Sequence, residues 1–264
     1  MQSETADSFS LFPRNNRIHF LTMEYAILAA GQGSRFVKEG EPAPKPMVDI
    51  LGRPMIDRLI HVLMECDATR IHIATNTRMK GLDEYLENLK KQENLPLVIK
   101  PIVSDNSYYS LTQAAAGIEG RFIAMTVDAI FPTDEFKNYV RRCAEAPDDV
   151  MVMGLTEYIE DESPLYAKLS ADGSEVVDYR YGGEPFPGTP IVSAGLYGIT
   201  DKALRKAAEN KYPESLSDFQ RILAVEDCYK VEPFTFSIAF DVDNTRDRLH
   251  AEQFAMEVNG EKRR

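Results

Sequence analysis

The sequence predicts an α/β protein assembled from parallel βαβ units, on three observations. Short apolar runs of strand length alternate with helical periodicity between residues 25 and 155. The first run, Tyr25-Ala26-Ile27-Leu28-Ala29, is too brief for a helix and is stopped by Gly31 and Gly33. From Tyr166 to Tyr181 the pattern changes to short β segments around an Asp172-Gly173 turn, which reads as a hairpin. At 264 residues the chain fits one large α/β domain. A chain of that size buries about 70–75% of its unfolded surface, enough for a self-sufficient core.

The elements follow in order. Pro54 is expected at the first position of a helix whose apolar residues Met55, Leu59, Ile60 and Leu63 recur at spacings of three and four. Ile71-His72-Ile73-Ala74 is the next strand, with His72 a strand residue rather than a ligand. Leu82, Tyr85, Leu86 and Leu89 mark a second helix, and residues 95–102 a third strand. A helix near 111–116 leads to a strand over 122–127, and a helix over 136–143 leads to a strand over 150–155. Residues 182–188 hold too many breakers for regular structure. A strand over 191–199, helices near 202–208 and 216–225, a strand stretch over 229–240 and a helix over 246–258 complete the pattern. Residues 1–22 are polar and are expected to form a disordered or over-long extension, and 259–264 a frayed tail, leaving 23–258 as one domain.

A formal charge of −12 argues against a nucleic-acid partner, which calls for a basic face. An anionic substrate must then be drawn by a few local cations or a metal, not by the global field. Three cysteines, Cys66, Cys143 and Cys228, lie far apart without ligand spacing, which points to reduced thiols and a cytoplasmic setting. The histidines at 19, 61, 72 and 250 are equally scattered and give no zinc pattern. No stretch approaches the roughly 20 apolar residues of a membrane helix, so no membrane partner is expected.

The chemistry concentrates at the turn after the first strand. Two glycines spaced by one residue let the backbone turn sharply and approach a ligand without a Cβ in the way. Successive N–H groups in such a turn form an anion-binding concavity. Arg35 adds a planar fork of donors suited to phosphate oxygens, and Lys45 a compact positive charge. A dinucleotide fingerprint would need a third glycine where Phe36 stands, and residues 38–44 read as a polar loop. Asp128 closes one apolar strand, and Asp241 and Asp243 close another more than a hundred residues later. Carboxylates at two strand ends of one sheet can converge on Mg²⁺, which takes one or two of them and fills its shell with phosphates and water.

Leu28-Ala29-Ala30-Gly31-Gln32-Gly33-Ser34-Arg35, the later Lys45-Pro46-Met47 and the following Gly52-Arg53-Pro54 together resemble the signature of nucleotidyltransferases acting on sugar phosphates and related small phosphates. The resemblance covers most of residues 25–258. It implies a Rossmann-like three-layer α/β/α fold with a mostly parallel mixed central sheet and a small β insertion on the acceptor side. It implies transfer of a nucleoside monophosphate from an NTP to a sugar 1-phosphate or similar small phosphate, with release of pyrophosphate and Mg²⁺ as cofactor. Leu28, Ala29, Ala30, Gly31 and Gly33 would cradle the nucleotide, Arg35 would neutralise the leaving pyrophosphate, and Lys45 would hold the phosphates.

Asp128 matches the family's metal-binding Asp, with Val127 in place of the usual glycine. The stretch Asp241-Val242-Asp243-Asn244-Thr245-Arg246-Asp247 resembles the one carrying the second metal ligand, Asp241 or Asp243, with Asp243 favoured. Asp247 reads as a first-turn helix charge. Asn106-Ser107-Tyr108-Tyr109-Ser110-Leu111 resembles the nucleotide-side helix start of small cytidylyltransferases acting on phosphocholine or related phosphates. That resemblance points to CTP, with Asn106 and Ser110 at the base; helix capping is the plain reading of the same residues. Sugar-directed members often carry Glu-Lys-Pro for the acceptor phosphate, whereas Glu184-Pro185 lacks the lysine here and Lys168 is the substitute. Ser193-Ala194-Gly195 resembles the acceptor-side strand, with room for a ligand at Gly195. Two other readings stand beside this one. A nucleotide-sugar-dependent glycosyltransferase would carry its D-x-D after a mid-domain strand, and a non-catalytic nucleotide-sensing subunit would have no need to retain Arg35, Lys45, Asp128 and Asp243 together.

Overall fold

The computed structural model describes residues 23–262, apart from 32, 105, 162, 211 and 226–228. The lead at 1–22, with His19, and also Cys228 and residues 263–264 fall outside the described residues.

Strand β1 (Met23–Ala29) is buried on both faces, which explains its unbroken apolar composition. Tyr25, Ile27 and Ala29 point into one core layer and Ala26 and Leu28 into the other. After it come a short helix α1 (Ser34–Lys38), a turn of 3₁₀ helix over Lys45–Met47, and a small hairpin of β2 (Asp49–Ile50) and β3 (Arg53–Pro54). The expected polar loop is therefore shorter than 38–44, because Gly33, at φ 61°, starts one helical turn and Phe36 anchors it in the core. Pro54 belongs to the hairpin and caps α2 (Met55–Glu65) from outside, since its missing N–H is no loss there.

Strand β4 (Ala68–Asn76), helix α3 (Leu82–Glu93) and strand β5 (Leu97–Ile102) form the next βα units. Helix α4 (Ser107–Ala115) leads back to β6 (Arg121–Thr126), on the other side of β1. A short β7 (Ala129–Ile130), helix α5 (Thr133–Glu145) and β8 (Val150–Thr156) follow. The expected hairpin is present as antiparallel β9 (Leu165–Leu169) and β10 (Val176–Tyr181). Its turn is tied by Asp172, which accepts from the Ser170 and Ser174 hydroxyls; those bonds hold its carboxyl down at about 2. Strand β11 (Val192–Thr200), helices α6 (Asp201–Asn210) and α7 (Leu216–Val225), β12 (Lys230–Phe236), β13 (Phe240–Asp241) and α8 (Thr245–Glu257) complete the chain. The strands expected over 229–240 are β12 and β13, parted where the Glu135 carboxylate takes the Ser237 N–H and hydroxyl out of the ladder.

The central sheet is mixed and mostly parallel. Strands β5, β4, β1 and β6 run parallel, β11 joins β6 antiparallel, and β8 pairs with both β11 and a parallel β12. Helices α2, α3 and α5 cover one face, and α4, α6 and α7 the other. Helix α8 closes a third cluster against Phe36, Ile50 and Met55, beneath the 3₁₀ turn and hairpin. A fully buried Phe such as Phe36 contributes about 1.5–3 kcal/mol, so this small cluster holds the first turn in place.

The segment expected as a tail makes side-chain contacts at its described residues. Asn259 accepts from the Thr133 N–H at 3.1 Å and donates to the Phe131 carbonyl at 3.3 Å. Glu261 makes a two-pronged pair with the nearly buried Arg58. His72 lies in β4 as expected, 2.7 Å from the Glu24 carboxylate on β1.

Candidate active site

Strand order reverses at β1, whose successors β4 and β6 lie on opposite sides of it. Ligands of open α/β sheets gather at such a point, outside the carboxyl ends of the strands. Ala30 and the turn carrying Asp128 lie there, joined by a bond from the Val127 N–H to the Leu28 carbonyl at 3.3 Å. Asp128 sits just beyond β6, in the turn before β7.

A two-stranded ribbon explains how distant aspartates meet. Strands β7 and β13 pair antiparallel, with Asp241 opposite Ala129, and the Val242 N–H donates to the Asp128 carbonyl at 3.1 Å. Asp243 follows at the entry to α8. Its N–H donates to Asp247 at 3.0 Å, while the Asn244 side chain accepts from the Asp247 N–H. Asp247 is thus the first-turn charge the sequence suggested, and it fixes Asp243 as well.

The cations of the first turn reach these carboxylates. The Lys45 ammonium donates to both Asp128 and Asp243, and Arg35 meets Asp243 at 2.5 Å. Arg35 also lies 3.9 Å from Asp161. Gly33 permits this approach: a Cβ there would stand 2.6 Å from the Lys45 Cβ. A Cβ at Gly31 would meet nothing within 4 Å, so that turn is open to a ligand. Glu39 accepts from the Thr245 N–H and hydroxyl, both at 2.8 Å, clasping the first loop to α8.

Electrostatics follow from this packing. Burial works against the charge of Lys45, but Asp128 and Asp243 outweigh it and keep the amine protonated. Burial likewise opposes ionisation of Asp128, and the Lys45 charge and hydrogen bond hold its carboxyl below the usual range. Asp241 opens onto the cleft but is walled by protein on its other sides. That burial, with the charge of Asp128 beside it, pushes its carboxyl well above the usual range. Asp128 Oδ1 is buried and accepts no hydrogen bond. An all-oxygen set with a spare buried oxygen suits a hard cation such as Mg²⁺. Among the described residues no group of three or more His, Cys, Asp or Glu is placed to hold a metal. Two carboxylates fit the mode in which phosphates supply the remaining ligands.

A cavity of about 340 Å³ opens beside this centre. Arg35, Asp241, Asp243 and Gly195 line it, together with Ser193, Tyr197 and Gln220. The structure places Lys168 and Glu184 outside that lining. Both are exposed, and Lys168 stands 6.0 Å from the ring of Phe186. Asn106 caps α4 by accepting from the Tyr109 N–H at 3.0 Å, and Ser110 donates to Ser104 at 3.0 Å. Capping accounts for the Asn106 side chain, while the Ser110 hydroxyl also donates back to the Asn106 carbonyl at 3.2 Å. Leu28, Ala29 and Ala30 are buried at the end of β1 and its exit. Sequence reasoning missed Asn76, which donates to the Ala30 carbonyl at 3.1 Å and braces the turn from below. It also missed Arg246 on the cavity wall; a polar residue at a strand end and an arginine in a helix's first turn were the available signals.

Residues 25–188 match the family model described as "MobA-like NTP transferase domain". The bifunctional protein GlmU of Methanococcus aeolicus is 23% identical over 180 residues, covering 68% of this chain and 41% of that protein. The chain spans 26% to 60% of the length of curated relatives it matches. The inositol-1-phosphate CTP transferase of T. maritima superposes with a TM-score of 0.71 at 17% identity, covering 90% of this chain and 98% of that one. A UTP-bound UGPase from Acinetobacter baumannii gives a TM-score of 0.68 at 15% identity, over 89% and 94% of the two chains. These two likenesses establish the fold, and with the family match over more than half its length the chain belongs to the MobA-like NTP transferase domain family.

Proposed function

We propose that the protein transfers a nucleoside monophosphate from an NTP to a sugar 1-phosphate or similar small phosphate, releasing pyrophosphate. The observation that carries this reading is the meeting of Lys45 with Asp128 and Asp243 beside the open Gly31 turn. In the reaction an acceptor phosphate oxygen forms a bond to the α-phosphorus, and the bond from that phosphorus to the β-phosphate oxygen breaks. Such displacements need in-line positioning and charge neutralisation more than a covalent nucleophile. The backbone of Gly31 and Gly33 approaches the nucleotide phosphates, Lys45 holds them, and Arg35 neutralises the departing pyrophosphate through its planar fork. The residues that would hold Mg²⁺ are Asp128 and Asp243, with Asp241 beside them. When bound, the ion supplies charge neutralisation at the phosphates. The acceptor occupies the cavity walled by Gly195.

The resemblance of residues 106–111 carries the further expectation of CTP. Pyrophosphate release measured with CTP, UTP, ATP and GTP against a panel of small phosphates tests both. The expected result is Mg²⁺-dependent release with a pyrimidine triphosphate, abolished by EDTA. Full activity with EDTA present removes the metal assignment, and a purine preference removes the CTP expectation.

A further inference from the structure

Helix α7 carries a polar side chain where its own packing calls for an apolar one. Leu216, Phe219, Ile222 and Leu223 are buried in one core layer, and Gln220 lies on the same helix at 2% exposure. Its Oε1 accepts from the Ser193 hydroxyl of β11 at 3.1 Å. The two N–H donors of that amide have no partner among the described residues. Gln220 lines the acceptor cavity, so these donors open onto it. A buried amide with unmet donors costs stability, and methionine would fill nearly the same volume without that cost. A ligand that supplies the missing acceptor removes the cost.

The elements that carry this amide present a neutral wall. Ser193, Gly195 and Tyr197 of β11 and Leu216 and Ser217 of α7 line the cavity with Gln220, and no charged residue of either element does. The charged lining residues lie elsewhere, Arg35 on α1 and Asp243 before α8 among them. Amide and hydroxyl groups held in place by one another suit a hydroxyl, which both donates and accepts, better than an ionic group.

Resting on the nucleotidyl-transfer reading above, we propose that Gln220 sets acceptor specificity, its amide N–H donating to one hydroxyl oxygen on the non-phosphate part of the acceptor. Ser193 holds the amide in that orientation by occupying its Oε1. A phosphate ester without a hydroxyl at that place leaves the buried amide unpaired and binds more weakly.

The test removes the hydroxyl from the ligand and the amide from the full-length chain, singly and together. The acceptors are glucose 1-phosphate, glycerol 3-phosphate and the singly deoxygenated analogues of each, with phosphocholine as the hydroxyl-free ester. Kd is read by calorimetry on the chain loaded with Mg²⁺ and an α,β-methylene analogue of CTP, and KM by pyrophosphate release with CTP. In the parent, loss of one particular hydroxyl should raise Kd and KM at least about tenfold. In Gln220→Met the intact acceptor should weaken about tenfold, and the same deletion should then change Kd by less than about threefold. KM for the NTP should stay at the parent value, and the variant should melt no lower than the parent, since an unpaired buried amide is gone. Gln220→Glu, which keeps an acceptor for Ser193 and removes the N–H donors, should lose the same coupling. A deletion penalty that persists in both variants overturns the inference, as does phosphocholine binding the parent as tightly as the best hydroxylated ester. Absence of binding by every acceptor also overturns it. Absence of pyrophosphate with every acceptor counts against the reaction itself, while calorimetry still reads the coupling.

Discussion

Gly31 and Gly33 stand two residues apart and answer to different demands. Gly33 adopts φ 61°, and a Cβ would press within 2.6 Å of Lys45, so alanine there should cost at least about 1–2 kcal/mol and displace Lys45. Gly31 has neither constraint from the protein itself. Gly31→Ala should therefore melt within about 0.5 kcal/mol of the parent while raising KM for the nucleotide. Chemical denaturation and NTP kinetics on both variants separate the two roles; equal destabilisation would contradict it. His72 offers a pH handle away from the centre. Burial lowers its pKa despite the Glu24 hydrogen bond, so it is neutral in the native state near pH 7. Its contribution to stability is complete above the unfolded value of about 6.5 and is lost as pH falls through the lowered native value. Melting curves of the parent and His72→Gln from pH 8 to 5 should show the parent losing more stability on acidification, and parallel losses would refute this.

At the scale of elements, the short connectors matter as much as the long helices. The β7–β13 ribbon has two residues in each strand, yet it sets Asp128 beside Asp241 and leads into Asp243. The end of the chain reinforces the same region, since Asn259 holds the β7–α5 link and Glu261 pairs with Arg58. Glu261→Ala leaves a nearly buried guanidinium without its partner and should cost about 1–3 kcal/mol, read as a lower denaturation midpoint. No change would show that the pair contributes nothing. Long apolar periodicities were legible in the sequence because burial on both faces leaves them few alternatives: β1, α2, β6 and the β9–β10 hairpin all lie where the pattern puts them. Tertiary side-chain bonds were not legible. Glu135 breaking the strand at Ser237 and Arg58 holding the tail both depend on partners at least 102 residues away. Within the site, Arg35, Lys45, Asp128 and Asp243 could be named from their residue types and strand ends. Lys168 and Glu184 stand outside the cavity because their backbone positions follow the hairpin and a glycine-rich loop, whose paths local sequence leaves open.

Among the described residues, the reversal of strand order at β1 gives the nine-stranded sheet a place where loops diverge and ligands can enter. The Gly31 turn follows β1, Asp128 follows β6 and Asp243 precedes α8. In the proposed function these three segments make one nucleotidyl-transfer centre. Asp128→Asn tests it most directly, because the change keeps the shape of the side chain and removes the charge paired with Lys45. The measurement is the initial rate of pyrophosphate release with saturating NTP, acceptor and Mg²⁺, on a variant whose circular dichroism matches the parent. A fall in kcat of about 10²–10³-fold or more is predicted, and a rate within threefold of the parent would contradict the claim.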